Sequence, residues 1–215
     1  MPVPSAAPLP SLVEQAERLV TLGVADLAGI DPRQVRAAVA TSASGDGLLA
    51  IRPSLLDIAR VAPFLRHRER HGFVVEDLTD LGEFGPTAAA DVPDSDVYVV
   101  AALDRGDEFA NWSPDEADPV IASRERLGLT VQEGVLWLLQ SPGVLERGRC
   151  FMTTGSRLRR PDGRLDARTP ALWISNGTGR DGRDRRHAPK VGWCWAGNRH
   201  TWLGIASAGA KTPLT

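Results

Sequence analysis

The chain of 215 residues is long enough to bury a hydrophobic core without disulfide support. Its apolar content of 42% and charged content of 24% are typical of a globular protein, and its apolar runs are too short to span a bilayer. Two cysteines cannot form a disulfide framework, and the first ten residues lack the basic and apolar segments of a signal peptide. We therefore expect a soluble, cytoplasmic protein with no membrane partner.

Charge is distributed unevenly along the chain. Residues 147–215 contain 14 basic and 4 acidic side chains, whereas residues 1–146 contain 11 basic and 23 acidic ones. Thirteen of those carboxylates lie within 76–118, where Arg105 is the only basic residue. The basic segment suggests nucleic acid or phosphate as a ligand, and the acidic segment could bind a partner protein. We favour a simpler interpretation, in which the two segments lie against each other and neutralise their charges.

The N-terminal part, residues 1–45, is predicted to be a flexible tail followed by a helical hairpin. Ser11 and Glu14 form the pattern of a capping box, which begins a helix that ends near Gly23. Asp31-Pro32-Arg33-Gln34 begins a second helix, with proline at the first helical position. Two short helices in succession resemble a DNA-binding helix-turn-helix, but the second has only two arginines. An ordinary helical hairpin is the better interpretation.

Residues 46–146 are predicted to form a small α/β middle layer with further helices. Strands are expected at 47–52, 72–75 and 96–102, and a helix at 54–65, from their apolar patterns. Capping boxes at Ser113-Pro-Asp-Glu116 and Thr130-Val-Gln-Glu133 predict two more helix starts.

Residues 147–215 switch to an alternating apolar pattern, which predicts an antiparallel β-sheet module. CFMTTG, PALWIS, VGWCWA and TWLGIA are the expected strands, with a turn at Gly197-Asn198 between the last two. The whole chain is therefore predicted to have an α+β fold, in which this module packs with residues 46–146 as one unit.

Several long stretches resemble an uncharacterised bacterial family that is classed only as a domain of unknown function. The resemblance rests on DRGDEFANWSPDEA, on LTVQEGVLWLLQSPGVLERGRCFMTTGSR, and on TPALWIS and VGWCWAGNRHTWLG. It is close over the C-terminal half and covers the N-terminal half in outline. It implies no particular reaction, cofactor or catalytic residue, and the loop at 177–190 is longer than the family leads us to expect.

The tryptophans of the C-terminal module are candidate ligand-binding residues. Trp193 and Trp195 share one face of a predicted strand, while Trp173 and Trp202 each alternate with small residues on theirs. Tryptophan beside small residues can floor a recess for a ligand, but it also packs a sheet against a helix. Core packing is the commoner role for any one of them; with four in one module, we expect at least one to face a ligand.

Arg199 and His200 follow the predicted turn, next to Asn198, and are the candidate catalytic residues. An arginine can bind a carboxylate or phosphate through two parallel hydrogen bonds, and a histidine can transfer a proton near neutral pH. The leading hypothesis is therefore a small anionic or aromatic ligand bound by this module, with catalysis an open question. A solvent-exposed turn is the alternative role for both residues.

Other functional classes have weaker support in the sequence. Metal ligation could use His187, Cys194, His200 and Cys150, but their spacing lacks the close ligand pairs of zinc motifs, so we predict no metal site. RNA or DNA binding through the arginine-rich loops at 156–168 and 180–186 is a second hypothesis. A scaffold that binds partners through 76–118 is a third.

Overall fold

A computed structural model describes residues 8–42 and 46–214. The predicted α+β fold is confirmed, and the predicted N-terminal tail lies mostly outside the described residues. Within the described ranges, no helix is both long and apolar enough to cross a bilayer. The α-helices are α1 (Leu12–Thr21), α2 (Val24–Leu27), α3 (Pro32–Ala40), α4 (Ile58–Val61), α5 (Pro114–Ser123) and α6 (Val131–Gln140).

The strands are short and are distributed over the whole chain after α3. They are β1 (Leu48–Ile51), β2 (Arg66–His67), β3 (Arg70–His71), β4 (Phe73–Val74), β5 (Phe84–Pro86), β6 (Val97–Ala101), β7 (Leu127–Gly128), β8 (Cys150–Met152), β9 (Ser156–Leu158), β10 (Arg168–Ile174), β11 (Pro189–Trp195), β12 (Leu203–Ile205), β13 (Ser207–Ala208) and β14 (Ala210–Pro213).

Local side-chain chemistry sets the start of four helices. Ser11, Asp31, Ser113 and Thr130 each accept a hydrogen bond from a backbone amide in the first turn of the following helix, and the residue three positions later bonds back to the cap. These bonds satisfy amides that would otherwise lack a partner at the helix start. All four predicted starts are confirmed.

The helix predicted at 54–65 is wrong. Instead, 3₁₀ turns at Pro53–Leu55 and Ala62–Phe64 flank the four-residue helix α4. The chain is extended at Leu56, with φ −117° and ψ 105°, and Asp57 then caps a new helix start at Ile58 by accepting from the Ala59 amide. The apolar pattern was real, but the backbone breaks where an aspartate offers an alternative hydrogen bond.

The middle sheet is completed by the end of the chain. It has the order β1-β6-β14, and both pairings are antiparallel. Every residue of β1 is fully buried, and the strand pairs from Leu48 opposite Val100 to Ile51 opposite Val97. Residues 210–213 thus belong to the sheet of the middle segment, so the C-terminal segment is not a separate layer.

The larger sheet has the order β12-β8-β10-β11-β4 and is mixed, not wholly antiparallel. Its centre is a seven-pair antiparallel ladder between β10 and β11, whereas β12 and β4 join the two edges in parallel. The predicted hairpin across Gly197-Asn198 is therefore wrong: β12 lies beside β8, with Leu203 opposite Cys150. The strand predicted at 72–75 likewise joins this sheet through β11.

Helix α6 lies between the two sheets and is buried along its whole length. On one side, the Tyr98 hydroxyl of β6 donates a 2.7 Å hydrogen bond to Glu133 of the helix. On the other side, a side chain at Gly134 would begin 2.6 Å from Leu172 of β10, so the helix approaches that strand closely because it has a glycine there. This central helix holds the two sheets in a fixed relation.

Candidate functional site

Three of the predicted ligand-binding and catalytic residues meet on one face of the larger sheet. Trp173 lies over Gly192, where a Cβ would be 2.5 Å from the indole ring. Trp202 packs edge-on against Trp173, with ring centroids 6.2 Å apart, and the His200 ring is 5.4 Å from that of Trp202. The ammonium of Lys190 sits 4.7 Å from the centre of the Trp173 ring, a cation–π contact. Trp173, Trp202 and His200 therefore form one partly exposed cluster.

Trp193 and Trp195 form a second pair, on the opposite face of the strand. Their ring centroids are 4.6 Å apart, and 44% of Trp195 is exposed. The guanidinium of Arg168 lies 6.0 Å from the Trp193 ring and is held by Asp80 and Asp166. The four tryptophans thus do not share one recess, because strand alternation divides them between the two faces.

Arg199 already has an anionic partner. Its guanidinium binds both carboxylate oxygens of Glu116 in the first turn of α5, with Nε 2.9 Å from Oε2. This pairing and the Ser113 cap lower the pKa of Glu116 to about 2. An incoming carboxylate would have to displace Glu116, so Arg199 has less to offer a ligand than an unpaired arginine. Asn198 is exposed beside it.

His200 is partly buried and its Nε2 has no hydrogen-bond partner in the described part of the chain. Burial lowers its pKa, so the ring is mostly neutral at pH 7. Its backbone carbonyl accepts from the Asn111 amide at 2.8 Å, and the neighbouring Ala196 carbonyl accepts from the Asp115 amide at 3.2 Å. These two bonds hold the chain after β11 against the α5 side, away from the hairpin path that the sequence predicted.

A strongly basic cavity lies at the end of the β10–β11 ladder that contains Ile174. Its volume is about 510 Å³, and Ile174 and His187, where the two strands meet their connecting loop, form part of its wall. We call it the basic cavity. Its charged and titratable lining consists of Arg66, His67, Arg68, Glu146, Arg147 and His187.

Most of the positive charge in the basic cavity is not neutralised. Arg68 and Arg147 are exposed and form no ion pair with the residues that the structure describes. The one acidic wall residue, Glu146, is shared with Arg105, whose Nη1 lies 3.4 Å from its carboxylate. Three arginines therefore face a single, partly occupied carboxylate, which favours a bound anion.

The backbone around the basic cavity is unusual at two positions. Arg68 has φ +52° and His187 has φ +68°, a left-handed conformation that side-chain-bearing residues seldom adopt. His67 Nδ1 lies 2.8 Å from the His187 carbonyl oxygen, so Nδ1 is the donor. Such backbone conformations concentrate at binding sites, where the fold holds them in place.

The ionisation of His187 depends on the same surroundings. Burial lowers its pKa, and the positive charges of Arg186, Arg68 and Arg147 lower it further. A bound anion would oppose the second effect, so ligand binding and protonation of His187 favour each other.

The basic cavity could not be predicted from the sequence. Its residues come from three separated turns, and only their clustering in RHRER at 66–70 and RGR at 147–149 hints at it. The long loop at 177–190 also contributes, since His187 from this loop forms part of the wall.

Acidic and basic segments do lie against each other, as the simpler interpretation of their charges predicts. Four ion pairs in the described structure join carboxylates of 76–118 to arginines of 147–215, and two of these arginines belong to the loop at 180–186. The pairs are Arg168–Asp80, Arg180–Asp77, Arg185–Glu76 and Arg199–Glu116.

The two cysteines are free thiols held in apolar surroundings. Burial raises the pKa of Cys150 and of Cys194 to about 11, which disfavours the nucleophilic thiolate. Across residues 8–42 and 46–214, no three side chains of the metal-ligating types gather closely enough to hold an ion.

Comparisons with known proteins identify a family but no activity. A family model described as "Family of unknown function (DUF5701)" matches residues 18–214. No curated protein and no solved structure matches the chain.

Proposed function

The chain belongs to DUF5701, a family of unknown function, and we propose from the geometry that it binds a small organic anion in the basic cavity. The observation that supports this proposal is the uncompensated charge of Arg68 and Arg147 on the wall of a 510 Å³ cavity. Arginine binds phosphate and carboxylate groups through paired hydrogen bonds, and two arginines on separate turns can hold one such group between them.

The size and the remaining walls of the cavity indicate an organic anion, larger than a simple inorganic ion. Leu145 and Ile174 add apolar surface beside the arginines. Clefts of a few hundred cubic ångströms with apolar walls and a few polar groups are typical of small-molecule sites. We expect the ligand to place its phosphate or carboxylate against Arg68 and Arg147 and its carbon skeleton against the apolar wall.

This proposal keeps the class of ligand predicted from the sequence but moves its site. Arg199 and His200 line no part of the basic cavity, and Glu116 already binds the guanidinium of Arg199. The basic cavity lies where β10 and β11 meet the loop that connects them, and it shares no residue with the cluster of Trp173, Trp202 and His200. We place the binding in the cytoplasm, since both cysteines are unpaired and a reducing compartment keeps thiols in that state.

Isothermal titration calorimetry of the full chain with inorganic phosphate, citrate and glucose 6-phosphate tests the proposal. We expect at least one organic anion to bind more tightly than inorganic phosphate. Removing both free arginines, in Arg68→Gln/Arg147→Gln, should weaken that binding roughly tenfold or more, because each lost charged hydrogen bond costs about 1.5–3 kcal/mol. A preference for citrate or for the sugar phosphate separates the carboxylate from the phosphate class.

The matched control removes the same charge elsewhere. Arg60 and Arg183 are exposed, lie outside the cavity wall and form no ion pair in the described part of the chain. Arg60→Gln/Arg183→Gln should leave the affinity within about twofold, since only the long-range field changes. Equal weakening in both double variants, or no binding of any of the three anions, would refute the proposal. A single-stranded RNA that binds when the small anions do not would indicate a nucleic-acid surface instead.

A further inference from the structure

A second, smaller cavity lies between α5 and the turn that joins β8 to β9. Its volume is about 180 Å³, room for roughly six water molecules at about 30 Å³ each. We call it the α5 cavity. The residues that matter for its chemistry are Asp118, Ile121, Arg126, Thr154, Arg157 and Leu165. None of them belongs to the basic cavity or to the tryptophan clusters.

Two arginines of the α5 cavity have no carboxylate partner in the described structure. Arg126 is fixed by donating from Nε to the Ser207 hydroxyl and from Nη2 to the Ala102 carbonyl, each at 2.8 Å. Arg157 donates from Nη2 to the Asp166 carbonyl at 2.8 Å, while its buried Nε has no hydrogen-bond partner. Both guanidinium groups are thus positioned by neutral oxygens, so their charge is available to a ligand.

The carboxyl group of Asp118 lies in the same cavity and does not cancel this charge fully. Burial raises its pKa, while the Thr154 hydroxyl and the charge of Arg157 lower it by less. Even as a carboxylate, Asp118 carries one negative charge against the two positive charges of Arg126 and Arg157. Two arginines beside such a group leave the cavity with a net attraction for a negative charge.

The rest of the α5 cavity is apolar. Ile121 closes it on the helix side, and Leu165 lies at its rim with 41% of its surface exposed. Removing a short hydrocarbon chain from water against such a wall is favourable in proportion to the area covered. The volume of about 180 Å³ accommodates a molecule of a few carbon atoms.

We infer that the α5 cavity binds a short-chain monocarboxylate, whose carboxylate lies between Arg126 and Arg157 and whose hydrocarbon chain packs against Ile121 and Leu165. This inference does not depend on the proposed function, because the two cavities share no wall residue.

Titration of the full chain with butyrate, followed by amide chemical shifts in ¹H–¹⁵N spectra, tests the inference. We expect saturable shifts at Gly128 and Gly155, which line the α5 cavity. Arg157→Gln should weaken butyrate binding about tenfold or more, because it removes a charged donor. Arg159→Gln is the matched control: it removes an exposed arginine two residues away, outside the wall, and should bind as the wild type does.

A second variant keeps the test valid if Arg157→Gln is unstable. Ala122 is exposed and lines the α5 cavity, so Ala122→Leu fills part of the space without removing a hydrogen bond, and it should also reduce butyrate binding. Arg68→Gln/Arg147→Gln, which alters only the basic cavity, should leave butyrate binding unchanged. No shift at about 50 mM butyrate, well above the millimolar range of weak sites, would overturn the inference. So would inorganic phosphate binding in place of butyrate, or equal affinity in Arg157→Gln and Arg159→Gln.

Discussion

The ion pair between Lys211 and Glu133 joins the last strand to the central helix, and its removal should destabilise the whole fold. Both side chains are completely buried, with Nζ 2.9 Å from Oε1. The carboxylate also accepts from Tyr98 and from the Thr130 amide, each at 2.7 Å, and Nζ reaches the Gly128 carbonyl at 3.3 Å. Every charged atom of the pair therefore has a partner, which is the condition under which a buried ion pair is tolerated.

Lys211→Met keeps the unbranched shape of the side chain, one atom shorter, but leaves the carboxylate of Glu133 buried beside neutral donors only. Removing one partner of a buried ion pair lowers the free energy of unfolding by about 3–5 kcal/mol. A domain of this size loses roughly 2–4 °C in melting temperature per kcal/mol, so the melting temperature should fall by about 6–20 °C. Urea unfolding followed by tryptophan fluorescence measures the free energy directly, because Trp137 lies on the same helix and is buried.

Two further variants test the reasoning. Lys211→Met/Glu133→Gln removes both charges. The side-chain amide oxygen introduced at position 133 would still accept from the Thr130 amide, so the double variant should be more stable than Lys211→Met alone. Arg36→Met breaks the Arg36–Glu17 pair, in which both side chains are more than 40% exposed, and should cost less than about 1 kcal/mol. If Lys211→Met costs no more than Arg36→Met, the pair is hydrated and the argument fails.

Three other predictions follow from the ionisation of named groups. The pKa of His187, now lowered by burial and nearby arginines, should rise when an anion fills the basic cavity, so anion affinity should increase as the pH falls through that pKa. An NMR titration of His187 with and without ligand measures this, and an unchanged pKa would show that the anion binds elsewhere. Arg199→Gln should return the pKa of Glu116 from about 2 towards its usual 4.5. Because the stability that this ion pair contributes is present above pH 4.5 and is lost towards pH 2, the wild type should lose more stability than the variant between those pH values. Urea midpoints that fall equally in the two proteins between pH 5 and pH 2.5 would contradict this. Cys150 and Cys194, with pKa values of about 11, should react with a thiol reagent at pH 8 about 100-fold more slowly than in the unfolded chain. Equal reaction rates in the folded and the unfolded chain would show that the thiols are accessible.

Short-range features of this fold could be predicted from the sequence because their chemistry is local. The four capping boxes needed only a hydroxyl or carboxylate and an acceptor three residues later, and all four begin helices. The strands of the larger sheet were located for the same reason, since alternation of apolar residues is a property of each segment alone. Such features do not depend on what lies across the core.

Strand order could not be predicted, because alternation says nothing about the neighbour. The segment around Trp202 fits equally well beside β11 or beside β8. The path of residues 196–202 decides between these two neighbours. Hydrogen bonds from the Asp115 and Asn111 amides, more than eighty residues earlier in the chain, fix that path. Gly204 is the one local signal: a Cβ there would lie 2.4 Å from the Arg105 carbonyl, so the glycine permits β12 to approach that loop.

The charges of the candidate site could not be predicted from the sequence for the same reason, because they depend on which segments meet. Segment charges predicted that acidic and basic regions would meet, and in aggregate they do. Whether an arginine remains available to a ligand depends on its own ion-pair partner. Arg199 is paired with a carboxylate 83 positions away. Arg68 and Arg147, which lie in turns that the sequence did not single out, have no carboxylate partner in the described structure. An anion-binding site consists of the charges that remain after the ion pairs have formed, and those can be identified only once the fold has determined which residues meet.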